Sequence, residues 1–503
     1  MVDQFKFDKL RKLREAGINP YPYTYDQTHH AEEIIAKYNS LEGKSVKVAG
    51  RIRSMRHMGK LFFLDLLDET GKIQILVRGD AASGKSIALM DMVDTGDILG
   101  ISGKVTKSAR GEISIDAHEI TMLAKSLLTL PEKFHGLSDT EIRYRKRYLD
   151  LIMNPNVRAT FQMRAKIVSY IRNFLNERGY VEFETPVLQP TYGGANAAPF
   201  KTYYNALDTE VFLRIADELY LKRLIIGGFE KVYEFGHDFR NEDIDSTHNP
   251  EFTQVEFYEA YKDYSDYMKM TEEMLSGLVK HINGSYEIAY QGKVLNFKPP
   301  FKRLYWVDEL KKITGIDISE MSDADAKRLA EKEGLDTSIK NAYHVADGLF
   351  DKYIQPELWD PTFVLDYPAY MCPLTKDKRG NAMLSERYEL FIAGKEGGNC
   401  YSELTDPVEQ RKKFEAQEEE RRKGDTEAPP SDSDFIEAIE YGMPPTAGMG
   451  IGIDRLVMIL TNNVSIKEVI AFPAVRPESK KVSETPLQGK PEGKKVKPES
   501  KKK

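Results

Sequence analysis

The sequence contains little cysteine and no long apolar run. Cys372 and Cys400 are the only cysteines among 503 residues, which excludes a disulfide scaffold and a cysteine-rich zinc site and suits a reducing compartment. No stretch of about 18 apolar residues occurs, so we expect no membrane-spanning helix. The N-terminal residues contain no apolar signal core, and the sequence therefore predicts a cytoplasmic protein.

The sequence also lacks an excess of positive charge. The formal net charge is −7 at pH 7, which excludes a protein that binds nucleic acid through bulk basicity, although local basic patches could still bind RNA. The exception is residues 479–503, which are rich in lysine and poor in apolar residues. We predict a disordered tail there. Its composition fits a merely solvated segment and an electrostatic arm for polyanions equally well.

Apolar periodicity divides the rest of the chain into four parts. We predict a helical segment at 1–42, a barrel at 43–130, a basic linker at 131–157 and a mixed domain at 158–478, with a helical insertion at about 305–350. The barrel region is read as five short strands with a helix after the third, the pattern of an OB-fold. Such modules often bind oligonucleotides, and a merely structural barrel is the alternative.

A charge-rich hairpin is predicted between Phe239 and Tyr264. At a period of two residues, Arg240 and Glu242 share one face of its first strand. A single face of the second strand carries Phe252, Gln254, Glu256 and Tyr258. The polar face of a hairpin is normally only solvated, so this mixture of cation, carboxylates, ring and phenol indicates a ligand and leaves its identity open.

A second candidate segment is a strand that carries alternating glycines. Gly448, Gly450 and Gly452 leave one strand face without side chains, so a flat ligand could lie on the backbone. Close packing of a helix is an equally good explanation. Asp454 is expected to cap the following helix, whose first turn contains Arg455.

A third candidate segment combines carboxylates with an apolar strand. Glu389 and Glu396 flank apolar residues that suggest an interior strand, and two hard carboxylates near phosphates would suit Mg²⁺. A solvated acidic pair is the alternative. Asn399, Tyr401 and Glu403 follow at alternate positions and share one strand face.

Three segments together resemble the signature motifs of class II aminoacyl-tRNA synthetases. "RGYVEFETPVL", with Pro186, is similar to the first motif, "FRNEDIDSTHNPEF" to the second and "GIGIDR" to the third. The barrel resembles the anticodon-binding domain of the subclass that charges lysine, aspartate and asparagine. Three further segments resemble the lysyl-tRNA synthetases among them: "FHGLSDTEIRYRKRYLDL", "RIADELYLKRLIIGGFEKVYE" and "THNPEFTQVEFYEAY". The resemblance covers roughly residues 5 to 478.

The resemblance implies an α+β protein in which an N-terminal OB-fold β-barrel precedes a class II catalytic domain built on an antiparallel sheet flanked by helices. It implies a lysine–tRNA ligase that activates L-lysine with ATP to lysyl-adenylate and pyrophosphate, and then transfers lysine to the 3′ end of tRNA(Lys). Mg²⁺ would be the metal, and the protein would be a cytoplasmic homodimer.

Three alternatives are less well supported. An aspartyl or asparaginyl synthetase is disfavoured because Glu403 and Glu256 are acidic where an acidic substrate would need a cation. A catalytically silent paralogue that binds RNA or has a regulatory role is disfavoured because the expected reactive residues are present. A paralogue that lysylates a protein is disfavoured because such enzymes resemble the catalytic domain without the barrel.

The resemblance also implies roles for individual residues. Arg240 and Arg455 would be catalytic. Together with these two arginines, ATP would be bound by Glu242, His248, Asn249, Phe252, Gly450 and Gly452. Lysine would be bound by Gly194, Glu218, Glu256, Tyr258, Asn399, Tyr401 and Glu403. Mg²⁺ would be held by Glu389 and Glu396, and the anticodon by Arg56, Phe63, Gln74 and Glu112.

Three residues depart from the family pattern. Asp217 stands where the family often has proline, and it could cap a helix or repel the substrate carboxylate. Gly397 and Cys400 lie on the strand that carries the lysine-pocket residues, so we expect them to affect substrate affinity.

Overall fold

The barrel that the alternating pattern predicts is present in the computed structural model. The structure describes residues 3–59, 61–131, 139–315, 317, 321–335, 342–422 and 429–477. The predicted tail at 479–503 lies outside these residues, as do parts of the predicted linker and insertion. Two units are formed, Met1–Ser138 and Asp139–Lys503. No helix in the described part of the chain is long and apolar enough to cross a membrane.

The first unit is a closed five-stranded barrel with the strand order β1-β2-β3-β5-β4. The predicted helix after the third strand is present. The elements are α1 (Gln4–Glu15), α2 (Ala31–Ala36), α3 (Tyr38–Leu41), β1 (Ser45–Met58), β2 (Leu61–Leu67), β3 (Lys72–Arg78), α4 (Gly84–Met90), β4 (Ile98–Lys107) and β5 (Ile113–Ala124). Alternate apolar side chains fill its interior, among them Val46, Val48 and Ile52.

The N-terminal segment is less helical than predicted. Helix α1 ends at Glu15, and no helix forms between it and α2. Pro20 and Pro22 lie in this stretch, and proline has no backbone N–H with which to continue a helix. Gly17 follows the end of α1 with a φ of 70°, a left-handed conformation that glycine adopts at little cost.

The second unit contains twelve α-helices among its described residues. They are α5 (Thr140–Arg145), α6 (Arg147–Met153), α7 (Pro155–Asn176), α8 (Glu218–Ile226), α9 (Tyr264–Asn283), α10 (Trp306–Thr314), α11 (Asp323–Glu333), α12 (Ala342–Tyr353), α13 (Pro407–Arg422), α14 (Ser433–Glu440), α15 (Ile453–Leu460) and α16 (Ile466–Val469). Helices α10 to α12 fall in or beside the predicted insertion.

The strands of this unit form one large sheet and three small ones. They are β6 (Val181–Glu182), β7 (Leu188–Gln189), β8 (Lys201–Tyr204), β9 (Thr209–Leu213), β10 (Lys231–Phe239), β11 (Glu251–Ala260), β12 (Glu287–Tyr290), β13 (Lys293–Asn296), β14 (Lys302–Tyr305), β15 (Thr362–Leu365), β16 (Asp377–Lys378), β17 (Asn381–Ser385), β18 (Arg387–Ile392), β19 (Lys395–Ser402) and β20 (Thr446–Gly452). The large sheet has the order β14-β15-β18-β19-β20-β11-β10-β6. Its six central strands are antiparallel, as expected, whereas β14 and β6 at the two edges pair in parallel.

The central strands of the large sheet have two different faces. Val255, Phe257, Met449 and Ile451 point to one face and belong to a large apolar core. Helices α7, α9 and α15 contribute to the same core through residues such as Ile171, Leu278 and Val457. Because side chains alternate along a strand, the residues between these core positions must point to the opposite face. That face contains the polar and glycine positions noted in the sequence.

Two strand predictions were wrong. Strand β10 ends at Phe239, so Arg240 and Glu242 lie in the loop that follows and do not share a strand face. The sequence "VEFETPVL" also predicts one strand at an edge or interface, with Pro186 limiting its pairing, but its two ends, Val181 and Leu188, pair in different sheets. Pro186 lies between these ends, and it cannot donate a ladder hydrogen bond.

The predicted capping role of Asp454 was also wrong. Gly452 occupies the N-cap position of α15, and Asp454 lies in the first turn. The Asp454 carboxylate accepts from the Thr253 backbone N–H at 2.7 Å and also pairs with Arg164. Asp454 therefore links the start of α15 to β11 and α7.

Candidate active site

The polar face of the large sheet forms the floor of a cavity of about 430 Å³ in the second unit. Strands β11, β19 and β20 provide the floor, and the loop after β10 and the start of α8 contribute walls. Sixteen residues to which the resemblance assigns a role in the site line it: Gly194, Glu218, Arg240, Glu242, His248, Asn249, Phe252, Glu256, Tyr258, Glu396, Asn399, Tyr401, Glu403, Gly450, Gly452 and Arg455. Glu389 is not among the lining residues.

One end of the cavity presents an arginine that lacks a partner for one of its nitrogens. The guanidinium carbon of Arg240 lies 5.0 Å from the centre of the Phe252 ring. Nε of Arg240 is buried and makes no hydrogen bond within the described residues. A buried donor without an acceptor is costly, so this end of the cavity suits an anionic ligand beside a flat ring.

A second arginine lies at the same end. Arg455 donates from Nη1 to the Glu396 carbonyl oxygen at 3.0 Å and is 3.2 Å from the Glu396 carboxylate. Nη2 lies 3.2 Å from Nε2 of His248. Because arginine can only donate, Nε2 must accept, and Nδ1 donates to Asp245 at 2.8 Å. Both ring nitrogens of His248 therefore have partners, which set the orientation of the ring.

The glycine strand β20 lies between the two ends of the cavity. A Cβ atom on Gly448 would clash with the Tyr258 ring and with Oε1 of Glu403. A Cβ on Gly450 would meet nothing closer than 3.6 Å. Gly448 is therefore required by the packing of neighbouring side chains, whereas a Cβ on Gly450 would make only ordinary van der Waals contacts.

The other end of the cavity contains three buried carboxylates. Glu218, Glu256 and Glu403 are 4%, 6% and 0% exposed. Glu256 accepts from Gln254 Nε2 at 2.7 Å and from the Tyr258 hydroxyl at 3.0 Å. Oε1 of Glu403 is buried and receives no hydrogen bond from the described part of the chain. Acceptors outnumber donors here, which suits a cationic ligand with several N–H groups.

Burial governs the ionisation of these carboxylates. It raises the pKa of Glu403 to about 8 and the pKa of Glu256 well above its usual range. Neighbouring negative charges, Glu218 among them, act in the same direction on both groups. A cation that entered this end would replace bound protons and lower these pKa values.

The wall beside Glu403 is held by side-chain hydrogen bonds. Asn399 donates from Nδ2 to the Tyr401 hydroxyl oxygen at 3.1 Å and accepts from Arg387 Nε at 3.2 Å. Gly194 has a φ of 88°, and a Cβ there would lie 3.1 Å from the Glu218 Cβ. A side chain at position 194 would therefore crowd Glu218.

Glu389 and Glu396 lie on the adjacent strands β18 and β19. Glu389 pairs with Arg387 and accepts from the Tyr367 hydroxyl at 2.8 Å. Burial raises the pKa of Glu389 to about 7, and Glu396 and Asp347 also raise it. This excess of negative charge fits a divalent cation. No group of three or more candidate ligands is present within the described ranges. Mg²⁺ commonly keeps water and phosphate oxygens as its other ligands, so the two carboxylates would hold it together with such groups.

Comparison with known proteins identifies this architecture. A family model described as tRNA synthetases class II (D, K and N) matches residues 139–476. The chain belongs to this class II synthetase family. A second model, described as OB-fold nucleic acid binding domain, matches residues 46–123, so the predicted fold is confirmed in both units.

Curated relatives align with nearly the whole chain. Lysine–tRNA ligase 2 of Methanosarcina mazei is 49% identical over 482 residues, which cover 95% of this chain and 94% of that protein. Lysine–tRNA ligases of Moorella thermoacetica and Clostridium perfringens are 47% and 46% identical, and the alignments cover 94% and 95% of this chain and 97% and 96% of those proteins.

Glu242 and Asn249, two of the residues implied to bind ATP, have different surroundings. Glu242 is exposed in the loop after β10, where a ligand can reach it. Asn249 is buried, donates to the Glu251 carbonyl oxygen at 2.5 Å and accepts from the Ala474 N–H at 3.1 Å. Its amide is thus already occupied by the backbone of this unit.

The residues that depart from the family pattern have different surroundings. Asp217 occupies the N-cap position of α8 but makes no capping hydrogen bond, and it does not line the cavity. It pairs with Arg214 at 2.9 Å, and only a glycine at position 236 leaves room for its carboxylate. Cys400 points into the apolar core, so the expected effect on the pocket does not follow from its position. Gly397 lines the cavity with space for a Cβ.

In the barrel unit, the four implied anticodon residues form two pairs. The guanidinium carbon of Arg56 lies 5.8 Å from the centre of the Phe63 ring. Gln74 donates to Glu112 at 2.7 Å. The sequence did not predict the stacking of His57 on Phe62, whose ring centres lie 4.1 Å apart.

Sequence reasoning placed Gln254 on the polar face of β11 but missed its link between Glu256 and Asp238. It also missed the buried Lys222, which contacts Glu218 and Glu403. The spacing of four residues between Glu218 and Lys222 on α8 was a readable sign of this pairing. The contact with Glu403 joins residues far apart in the chain, and no local pattern reports it.

We expect Gly448→Ala to destabilise the second unit, because its Cβ would displace Tyr258 and Glu403. Overpacking of this kind costs about 1–3 kcal/mol. Gly450→Ala is the matched control on the same strand face, and we expect a change below about 0.5 kcal/mol. Urea unfolding measures both variants. Equal losses of unfolding free energy in the two variants would contradict the conclusion that packing requires a glycine at position 448 but not at position 450.

We expect Asp238→Asn to stabilise the protein more at pH 8 than at pH 5. Burial raises the pKa of Asp238 to about 7, so the wild type loses stability as the pH rises through that value, whereas unfolded Asp238 has already released its proton. The difference in melting temperature between variant and wild type should grow by at least about 2 °C, the shift expected for about 1 kcal/mol in a domain of this size.

The control for this experiment is Asp434→Asn, whose side chain is 83% exposed. Its melting temperature should differ from that of the wild type by the same amount at both pH values. A difference for Asp238→Asn that does not change with pH would contradict the assigned ionisation.

Proposed function

We infer that the protein is a lysine–tRNA ligase, which activates L-lysine with ATP and transfers it to tRNA(Lys). The observation that carries this inference is the cavity itself, which joins an arginine-rich end to an end with three buried carboxylates. The lysine–tRNA ligases that align over nearly the whole chain support the same activity. We propose the following roles for its residues.

Glu256, Tyr258 and Glu403 bind the side-chain ammonium group of lysine, and Asn399 and Tyr401 complete the wall. An ammonium group removed from water needs carboxylates and other acceptors around it. Glu218 binds the α-amino group beside Gly194, where the absence of a side chain leaves room. The buried and unpaired Oε1 of Glu403 supports this assignment.

The arginine-rich end binds ATP. Phe252 stacks on one side of adenine, Arg455 covers the other side and reaches the γ-phosphate, and Glu242 accepts from the adenine amino group. Gly450 and Gly452 let the nucleotide approach the backbone, His248 contacts the terminal phosphates, and Asn249 supports the end of the loop. The position of Gly450 and Gly452 in the cavity lining supports this placement of the nucleotide.

The chemical step needs no side-chain nucleophile, because the lysine carboxylate attacks the α-phosphate. Negative charge accumulates at this phosphate, and Arg240 stabilises it with a guanidinium group that also orients the substrate carboxylate. The partnerless Nε of Arg240 supports this role, since this buried donor has no acceptor among the described residues. Arg455 stabilises the charge on the leaving pyrophosphate.

We propose that Glu389 and Glu396 hold Mg²⁺. When bound, the ion neutralises charge on the pyrophosphate leaving group. The raised pKa of Glu389, caused by its burial and by nearby carboxylates, supports this assignment. Arg387 and Tyr367 keep the Glu389 carboxylate in place.

The barrel contributes tRNA recognition. Phe63 stacks on an unpaired anticodon base, while Gln74, Glu112 and Arg56 contact base edges and phosphate. The exposure of Arg56 beside the Phe63 ring supports this role. We also propose a cytoplasmic location, because Cys372 and Cys400 are both free thiols and suit a reducing compartment.

We further propose that the protein is a homodimer. Several apolar side chains are exposed around the sheet formed by β7, β8 and β9: Val187, Leu188, Tyr203, Tyr204 and Leu207. A contiguous exposed apolar surface of this kind is typical of a protein–protein interface.

The activity is tested by ATP–pyrophosphate exchange with lysine, aspartate and asparagine in parallel, on wild type and on Glu403→Ala. We expect exchange with lysine alone in the wild type. Loss of one partner from a buried ion pair costs about 3–5 kcal/mol, so the variant should lose at least about 100-fold in kcat/KM for lysine.

Glu415→Gln is the control for this test, because Glu415 is exposed on α13. It should exchange like the wild type. Exchange with aspartate would overturn the substrate assignment and keep the family. An absence of exchange with all three amino acids would favour a catalytically silent paralogue.

The oligomeric state is tested by analytical ultracentrifugation at micromolar concentration. We expect twice the mass of the chain, and we expect Leu188→Arg to shift the protein toward the monomer because it buries a charge in the interface. Tyr441→Arg, at a residue that is 82% exposed elsewhere in the unit, should leave the dimer unchanged. A monomeric wild type would refute the proposal.

A further inference from the structure

Lys222 is a buried cation inside the carboxylate end of the cavity. Its side chain is 0% exposed, and its Nζ lies 2.5 Å from Oε1 of Glu218 and also contacts Oε2 of Glu403. Lys222 lies one turn after Glu218 on α8, whereas Glu403 follows β19. One ammonium group therefore joins two carboxylates from distant parts of the chain.

Lys222 does not line the cavity, in contrast to both of its partners. It approaches the two carboxylates from behind and occupies one oxygen of each, so Oε1 of Glu403 remains available on the cavity side. The ring of Phe435 on α14 lies 6.0 Å from the ammonium group on its other side. Lys222 is therefore neither a residue that contacts a ligand in the cavity nor a member of a surface ion pair.

We propose that Lys222 is a built-in counter-cation of the amino-acid pocket, which favours the ionised forms of Glu218 and Glu403 and holds both carboxylates in position before a substrate binds. An incoming ammonium group then has fewer protons to displace from these two carboxylates. The expected effect on lysine binding rests on the proposed function. The expected effect on the free protein rests only on the contacts that Lys222 makes. Lys222 is thus a positioning residue and does not itself touch substrate.

The charges in this region support the proposal. Burial alone would lower the pKa of Lys222, but Glu218 and Glu403 raise it above its ordinary value, so the lysine is charged. Burial raises the pKa values of Glu218 and Glu403, and Lys222 acts against that rise in both. The other titratable groups that face the Glu218–Lys222–Glu403 cluster are Glu256 and Tyr258 of β11, Cys400 and Tyr401 of β19, and Lys376.

Removal of the Lys222 charge therefore has a consequence that depends on pH. In Lys222→Met, Glu218 and Glu403 lose their shared cation, and both carboxylates should take up protons at neutral pH. A lysine substrate must then displace these protons in order to bind. At higher pH the protons are lost before the substrate arrives, and the defect should shrink.

The first measurement uses the free full-length protein. We expect the melting temperature of Lys222→Met to fall further below that of the wild type as the pH rises from 5 to 8, because the unpaired buried carboxylates then lose their protons. Arg223→Met removes a positive charge from the next position of α8, where it pairs with Asp432 and Asp434. This control should show a difference from wild type that does not change with pH.

The second measurement is ATP–pyrophosphate exchange between pH 6.5 and 8.5. We expect the KM for lysine of Lys222→Met to be raised about tenfold at pH 7, which corresponds to one pKa unit of a carboxylate, and to approach the wild-type value at pH 8.5. The KM for ATP should stay within about twofold of the wild type, since ATP does not contact this cluster. Lys222→Arg, which keeps the charge, should restore the wild-type pH profile.

The outcomes separate this proposal from the proposed function. A melting-temperature difference for Lys222→Met that does not change with pH would overturn the counter-cation role, whatever the enzyme does. A KM for lysine raised by the same factor at every pH would also overturn it and indicate a structural role. If the wild type showed no exchange with lysine while the pH-dependent melting difference was present, the counter-cation role would stand and the proposed function would fail.

Discussion

The alternation of side chains along three neighbouring strands is the constraint on which the rest of the second unit depends. In β11, β19 and β20, one set of positions packs against helices, and the other set forms the cavity floor. A pleated strand gives each residue only one of two faces. A shift of one residue in register would exchange the apolar core with the charged cavity. The large core therefore also keeps the polar residues in register.

The cavity keeps its charges in place because the surrounding structure supplies partners for most of them. Arg455 is held by Glu396 and His248, and Glu256 by Gln254 and Tyr258. Among the described residues that line the cavity, the buried charged groups with atoms that lack a hydrogen-bond partner include the Arg240 guanidinium, through Nε, at one end and the Glu403 carboxylate, through Oε1, at the other. An unpartnered donor at one end and an unpartnered acceptor at the other suit a pair of ligands of opposite charge. This polarity is what a site for joining an amino acid to a nucleotide requires.

The excess of carboxylates has a cost in stability. Asp217, Glu234 and Asp238 surround the single guanidinium group of Arg214, and Glu218 and Glu403 share Lys222. Burial raises the pKa of Asp238 and of Glu403 toward neutrality. The fold thus holds buried carboxylates whose ionised forms are unfavourable. A cationic ligand would stabilise those ionised forms, and this stabilisation contributes to the binding free energy.

The sequence by itself determined the family, the two-unit order and sixteen of the residues that line the cavity, because motifs with fixed spacing and strand alternation are local properties of the chain. Phe252, Glu256 and Tyr258 could be placed on one face from their spacing alone. Tertiary structure alone decided where β10 ends, how Asp454 is used and that Cys400 faces the core. It also decided that Lys222 reaches Glu403. Such contacts join residues that are distant in sequence, and only packing brings them within reach.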